Sequence, residues 1–311
     1  MPTTMLPMPD IEIVAEGLQF PEGPIIMPDG SVILVEIARG TLSRVSPGGA
    51  IEVIADLGGG PNGAAIGPDG AVYVCNNGGF AWSPEGRGVR PVGPAPDYAG
   101  GRIDRVDLSS GQAEVLYTGT GDVALKGPND IVFDRMGGFW FTDLGKTRHR
   151  DWDRTGIFYA SADGNRIVEA AHPLVTPNGI GLSPDERVLY VAETQTGRLW
   201  AFDVAAPGEI AKQAWPSPHG GRIVASTEGY RNFDSLAVEA SGRICVATLM
   251  DGGISVIDPE TGAIEHVPMP DRYTTNICFG GEDMMDAYIT QSIDGRLLRC
   301  RWPRPGLKLN F

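Results

Sequence analysis

The sequence predicts an all-β fold: a six-bladed β-propeller with four-stranded antiparallel blades, closed by its N-terminal strand. Three observations predict it. Short runs rich in β-branched and aromatic residues dominate the chain, each behind a turn sequence such as PDG, MGG or SGR. A unit made of a polar residue, a short apolar strand, a tight turn and a second apolar strand recurs six times. No stretch sustains a 3.6-residue apolar period between caps, so no long helix is expected.

The units read FPEGPIIMPDGSVILVE, GPNGAAIGPDGAVYVCN, GPNDIVFDRMGGFWFTD, TPNGIGLSPDERVLYVAE, NFDSLAVEASGRICVAT and TTNICFGGEDMMDAYIT. Their corners begin at Glu22, Asn62, Asn129, Asn178, Asp234 and Asn276, and are read as polar-plus-glycine turns. Runs between the units, such as TLSRVSP, GRLWAFDV and GRLLRCRW, supply the outer strands. Propeller blades repeat every ~40 to 50 residues, and the longer intervals here imply loops inserted at one face. A ring needs closure to remove its open edges, and IEIVAEG, Ile11 to Gly17, is expected to pair beside LLRCRW as the outer strand of the last blade. One domain spanning 1–311 follows.

Composition narrows the function. A net charge of −14 argues against nucleic acid, whose phosphates call for Lys and Arg, and against anionic membrane surfaces. No apolar run approaches the ~18 residues of a membrane span. MPTTMLPMPD has no basic segment followed by an apolar one, so no signal peptide is expected and the cytoplasm is the expected compartment. Oligomeric state is open. Cys75 and Cys245 sit in apolar runs and read as reduced core thiols. No phosphate-binding loop or G-x-S-x-G elbow is present.

The first residue of each innermost strand opens onto one mouth of a propeller's central channel, so the six corners converge. Glu22, Asn129, Asn178 and Asp234 would then supply two carboxylates and two amide oxygens, a donor set suited to a hard divalent cation such as Ca²⁺. Zn²⁺ and Mn²⁺ are alternatives, although no His or Cys joins the ring. The competing reading is that polar corners merely hydrogen-bond channel water. Glu22 favours the ion, because Glu is a poor turn residue in F-P-E-G-P and a carboxylate in a narrow channel needs a partner. Asn62 and Asn276 are read as channel lining near the ion and substrate.

The motifs FPEGPIIMPDG, GPNDIVFD, TPNGIGLSPDERVLYVAET, FDSLAVEASG and TTNICFGG resemble those of the gluconolactonase, senescence-marker-protein (regucalcin) and luciferin-regenerating-enzyme family, from about Leu18 to Arg301. The resemblance implies one catalytic divalent cation in the channel and hydrolysis of a sugar-acid lactone or related cyclic ester. Glu22, Asn178 and Asp234 match the family's metal-binding residues, and Asn129 an Asn that coordinates the metal or contacts substrate. Asp234 would be the catalytic residue, as general base or as nucleophile. A phosphotriesterase-like hydrolase and a non-catalytic propeller binding calcium or a small ligand are the alternatives on the same scaffold.

One position departs from the family. Members often carry an Arg two residues before the third-blade Asn, where Gly127 stands here, after Lys126. Three mouth loops are instead rich in aromatics: Asn77 to Gly101 with Phe80, Trp82 and Tyr98; Leu144 to Gly156 with His149 and Trp152; and HGGRIVASTEGYRNF with Tyr230 and Phe233. Trp82, Tyr98, His149 and Tyr230, with Asn62, Asn129 and Asn276, are the expected substrate contacts, and the loops a lid selecting a less polar substrate. Arg148 and Arg150 would attract a carboxylate on that substrate. The aromatics can equally pin long loops to the rim, and a lone His in a charged loop can simply be solvated. His172 and His266 read as structural.

Overall fold

A chain of short amphipathic strands buries its apolar faces by stacking one small sheet against the next, and this chain does so six times. The structure, a computed structural model, describes residues 3–311, so Met1 and Pro2, which begin the segment read above for a targeting signal, lie outside it. No helix occurs among the described residues, and none is long and apolar enough to cross a membrane.

Blade one comprises Pro21–Ile26, Val32–Glu36, Thr41–Val45 and Ile51–Asp56, from channel to rim. Blade two comprises Pro61–Ile66, Val72–Asn76, Arg102–Val106 and Ala113–Tyr117. Blade three runs Pro128–Phe133, Gly138–Asp143, Thr155–Ser161 and Ile167–Leu174. Blade four runs Pro177–Leu182, Val188–Glu193, Arg198–Ala206 and Arg222–Ser226. Asn232–Val238, Ile244–Leu249, Gly253–Ile257 and Ile264–Pro268 form blade five; Thr274–Gly280, Asp286–Gln291 and Arg296–Arg301 form the inner part of blade six. As expected, Ile11–Glu16 completes blade six, antiparallel to Arg296–Arg301 with Ile11 opposite Cys300. Thr4–Met5 adds a parallel strand to the rim of blade five, too short to show any period in the sequence.

Each interface between neighbouring blades holds its own apolar cluster. Tyr73, Cys75 and Ile103 of blade two meet Ile131, Phe139 and Phe141 of blade three, and Leu34 and Val45 of blade one meet Tyr288 and Leu297 of blade six. Cys75 and Cys245 are buried free thiols, as their apolar runs predict.

The corners differ from the turns read in the sequence. All six are bulged strand starts: pairing with the next strand slips between Glu22 and Ile25, Pro61 and Ala64, Pro128 and Ile131, Pro177 and Ile180, Phe233 and Leu236, and Thr274 and Asn276. A bulge re-aims a side chain at the end of a ladder, here beside the channel. The glycines after the corner serve close approach. A Cβ on Gly179 would lie 2.6 Å from the Asp234 carbonyl oxygen and 2.7 Å from the Leu236 nitrogen, and one on Gly23 2.8 Å from the Ala64 nitrogen.

Each innermost strand carries its polar corner near its start and an apolar residue at or next to its far end, Ile26, Ile66, Phe133, Leu182, Val238 and Phe279. The C-terminal segment runs past these far ends. Leu307 N–H donates to the Val238 carbonyl at 2.8 Å, Asn310 Nδ2 donates to the Phe133 carbonyl at 3.1 Å, and the Phe311 and Phe133 rings lie 5.9 Å apart. Buried Glu239 anchors the segment by accepting from Trp302 Nε1 at 2.9 Å and Arg304 Nε at 2.6 Å.

Candidate metal centre and channel mouth

The bulges bring the corner side chains of neighbouring blades into contact. Glu22 is 2% exposed, and its Oε2 accepts from Asn276 Nδ2 at 2.7 Å and from Gly23 N–H at 2.8 Å. Asn276 Oδ1 accepts from Ile277 N–H at 2.8 Å, so both ends of this amide are committed. Across the channel, Asn178 Nδ2 donates to Asp234 Oδ1 at 2.6 Å and to Thr194 Oγ1 at 3.1 Å. The amide oxygens of Asn129 and Asn178 are buried with no hydrogen-bond partner. Asn62 is buried at its own corner.

Sequence reasoning missed Asp130. It occupies the place held by glycine in blades one, two and four, and that exchange is the signal that marks it. Asp130 is buried, its carboxyl accepting from Ile131 N–H at 3.0 Å and Ile180 N–H at 3.4 Å. Glu22, Asp130 and Asp234 are thus three carboxyls close enough for their charges to act on one another. Burial pushes Glu22 up to about 7. Burial and then the Glu22 charge push Asp130 up to about 7, and the same causes hold Asp234 well above the usual carboxylate range.

The donors present fit a hard dication. Two oxygens without partners stand beside carboxyls that repel one another, and a dication would satisfy both. No three His, Cys, Asp or Glu side chains of the described residues gather closely enough to hold a metal by themselves. Any such centre therefore needs the amide oxygens.

The mouth differs from the loops expected above. Asn77 to Gly101 carries a hairpin of Phe80–Glu85 and Gly88–Pro94. It reaches past blade one to blade six: the Trp82 ring lies 5.0 Å from that of Phe20, and a Cβ on Gly86 would touch Ile293 at 3.7 Å. Phe20, Ile37 and Ile293 are buried under Phe80, Trp82 and Tyr273. HGGRIVAS is no mouth loop, because Arg222–Ser226 is the outer strand of blade four. Phe233 is fully buried in the core between blades four and five, its place fixed by the strand alternation that turns Asp234 inward. Tyr230, Trp152 and His149 are exposed, and Arg148 is engaged by Asp153 at 2.8 Å as well as by Asp151.

Lys146 is the second residue missed. It is 1% exposed, and its Nζ donates to Asn77 Oδ1 at 2.9 Å and to the Gly79 carbonyl at 2.8 Å. Nζ lies 4.1 Å from the Phe80 ring centroid and 5.2 Å from that of Tyr98, whose hydroxyl donates to the Lys126 carbonyl at 2.6 Å. Burial pushes Lys146 down to about 7. The preceding Gly145 explains the departure at Gly127: a Cβ there would lie 2.6 Å from the Gly145 carbonyl oxygen, so no side chain fits. Lys146→Ala is expected to cost about 1–3 kcal/mol by removing two buried hydrogen bonds from an ammonium, although Asn77 Oδ1 and the Gly79 carbonyl keep the Gly79 and Ala95 N–H groups as donors, and to speed proteolysis within Phe80–Pro94. Thermal melts and a timed digest check this.

Residues 20–293 match the SMP-30/Gluconolactonase/LRE-like region. The chain is 28% identical over 272 residues to lactonase drp35 of Staphylococcus saprophyticus, covering 86% of this chain and 75% of that one. It is 23% identical to a gluconolactonase of Zymomonas mobilis, covering 87% and 76%. Among solved structures it resembles the calcium-binding protein regucalcin from Agrobacterium tumefaciens, with a TM-score of 0.74 at 17% identity over 99% and 100% of the two chains. A gluconolactonase from Xanthomonas campestris superposes with a TM-score of 0.73 at 22% identity, covering 94% and 89%.

Proposed function

The chain belongs to the SMP-30/Gluconolactonase/LRE-like family, and from that membership we propose that it is a metal-dependent lactonase. Glu22, Asn129, Asn178 and Asp234 would hold the divalent cation, Ca²⁺ by the hardness of its donors. One observation supports the centre above others: the buried, partnerless oxygens of Asn129 and Asn178 stand beside carboxyls that repel one another. The names of the lactonase and gluconolactonase relatives support the reaction class.

The cation that these residues would hold would supply Lewis-acid polarisation of an ester carbonyl and stabilisation of charge on its oxygen. The chain's own residues do the rest. Asn276 and the Gly23 N–H hold Glu22 from one side, and Asn178 holds Asp234. Asp234 takes the proton of the attacking water as general base. Burial and the Glu22 charge raise its basicity, opposing the fall that a neighbouring dication imposes. Asn62 and Asn276 line the channel beside the reacting ester. The wall of Phe20, Phe80, Trp82 and Tyr273, with Gly127 in place of a guanidinium, favours a lactone with an apolar substituent over a fully hydroxylated one. Tyr98 shapes that wall through Lys146, whereas His149 and Tyr230 stand exposed at the rim, where they can meet substrate only as it enters.

Stripping the metal with a chelator should abolish proton release on a lactone panel, and added Ca²⁺, Mn²⁺ or Zn²⁺ should restore it. Turnover that survives chelation would sink the metal-dependent reading. Metal binding with no turnover of lactone, ester or phosphotriester would instead make this a ligand-binding propeller.

A further inference from the structure

A primary amide aims its oxygen in one direction only when its two N–H groups are committed elsewhere. In Asn178 one N–H goes to Asp234 Oδ1 at 2.6 Å and the other to Thr194 Oγ1 at 3.1 Å. Both donors are spent in the channel wall, and Oδ1 is left buried without a partner. Thr194 is itself fixed: its N–H donates to the Thr176 carbonyl at 3.1 Å, and Gln195 N–H donates to Thr176 Oγ1 at 3.0 Å. Thr176, two residues before Asn178, has φ 46°, a left-handed conformation that a β-branched residue holds only where its surroundings impose it.

We propose that Thr194 is a positioning residue: its hydroxyl sets the rotation of the Asn178 amide and so presents Oδ1 to a divalent cation. This rests on the reading that the ring holds such an ion. Asp234 cannot do the job alone, because its oxygens are themselves wanted by the ion. The Thr194 hydroxyl is neutral and stays in the wall. Without it one Asn178 N–H is unpaired, and the amide is free to turn its oxygen away.

The test is calorimetric titration of Ca²⁺ into the metal-stripped wild type and the Thr194→Val and Thr194→Ser variants, beside metal-free melting curves. Losing an outer partner of a metal ligand weakens binding about 10–100-fold. Thr194→Val is therefore expected to bind Ca²⁺ about tenfold more weakly and Thr194→Ser close to wild type, with the metal-free melts showing that each variant is folded. Thr194→Ala replaces the Val variant should that one fail to fold. Undiminished Ca²⁺ binding without the hydroxyl overturns the proposal, as does an equal loss in Thr194→Ser, which would trace the effect to the methyl group. A wild type that binds no divalent cation removes the reading of the ring, and this proposal with it.

Discussion

Replacing Asp234 with Asn is expected to lower kcat/KM for lactone opening by about 10³-fold, within the range for losing a positioned acid or base, and to raise the melting temperature of the metal-free protein. The two effects share one cause. Asp234 is buried against Asn178, and its carboxyl is opposed by the charges of Glu22 and Asp130. Asn keeps the shape and an oxygen to accept from Asn178, but removes the charge that a cation and an attacking water would use. It also relieves repulsion that the metal-free fold endures. Functional sites commonly store such strain. Steady-state kinetics and metal-free thermal melts check both halves. Retained activity would remove Asp234 from the reaction, and a lower melting temperature would show that its charge is already compensated.

Metal-free stability is expected to fall as the pH rises from about 5 to about 7, and Ca²⁺ is expected to cancel the fall. Burial raises Glu22 from 4.5 to about 7, and Asp130 also reaches about 7. A carboxyl with a raised folded-state pKa holds its proton more tightly folded than unfolded. Its stabilising contribution is complete below the unfolded value and is lost as pH passes the folded one. Asp143, pushed up to about 6 by burial, has the same sign. His219 and His266, held below the usual imidazole range by burial, act oppositely over part of this window. The decisive quantity is thus the difference between wild type and Glu22→Gln, which removes one ring carboxyl. In chelator, wild type should lose more stability than the variant across this window. With Ca²⁺ at 100 times its Kd, wild type should regain about 2.7 kcal/mol. Parallel curves in chelator would show that Glu22 does not carry the strain.

The ring was legible because a repeat of polar corners is a local pattern. The sequence Pro-Glu-Gly or Pro-Asn-Gly is visible without knowing what lies beside it. The closing strand was legible for the same reason, since IEIVAEG alternates and had no other place to pair. The features that escaped depend on neighbours far along the chain. Gly179 looks like a turn residue, yet its cause is the Asp234 and Leu236 backbone of the next blade. Lys146 looks like a solvated lysine in a charged loop, and only the fold carries it to Asn77 and Gly79. Asp130 was the one miss with a sequence signal, an acid standing where three sister units have glycine. His149 and Tyr230 drew attention by residue type, and the fold leaves both exposed.

Equilibrium binding of Ca²⁺ to the metal-stripped chain near neutral pH, beside Glu22→Gln and Asn178→Ala, tests the central claim most directly. The predicted result is one ion per wild-type chain, with affinity sharply reduced in both variants. No binding to the wild type, or binding that both variants retain undiminished, would contradict it.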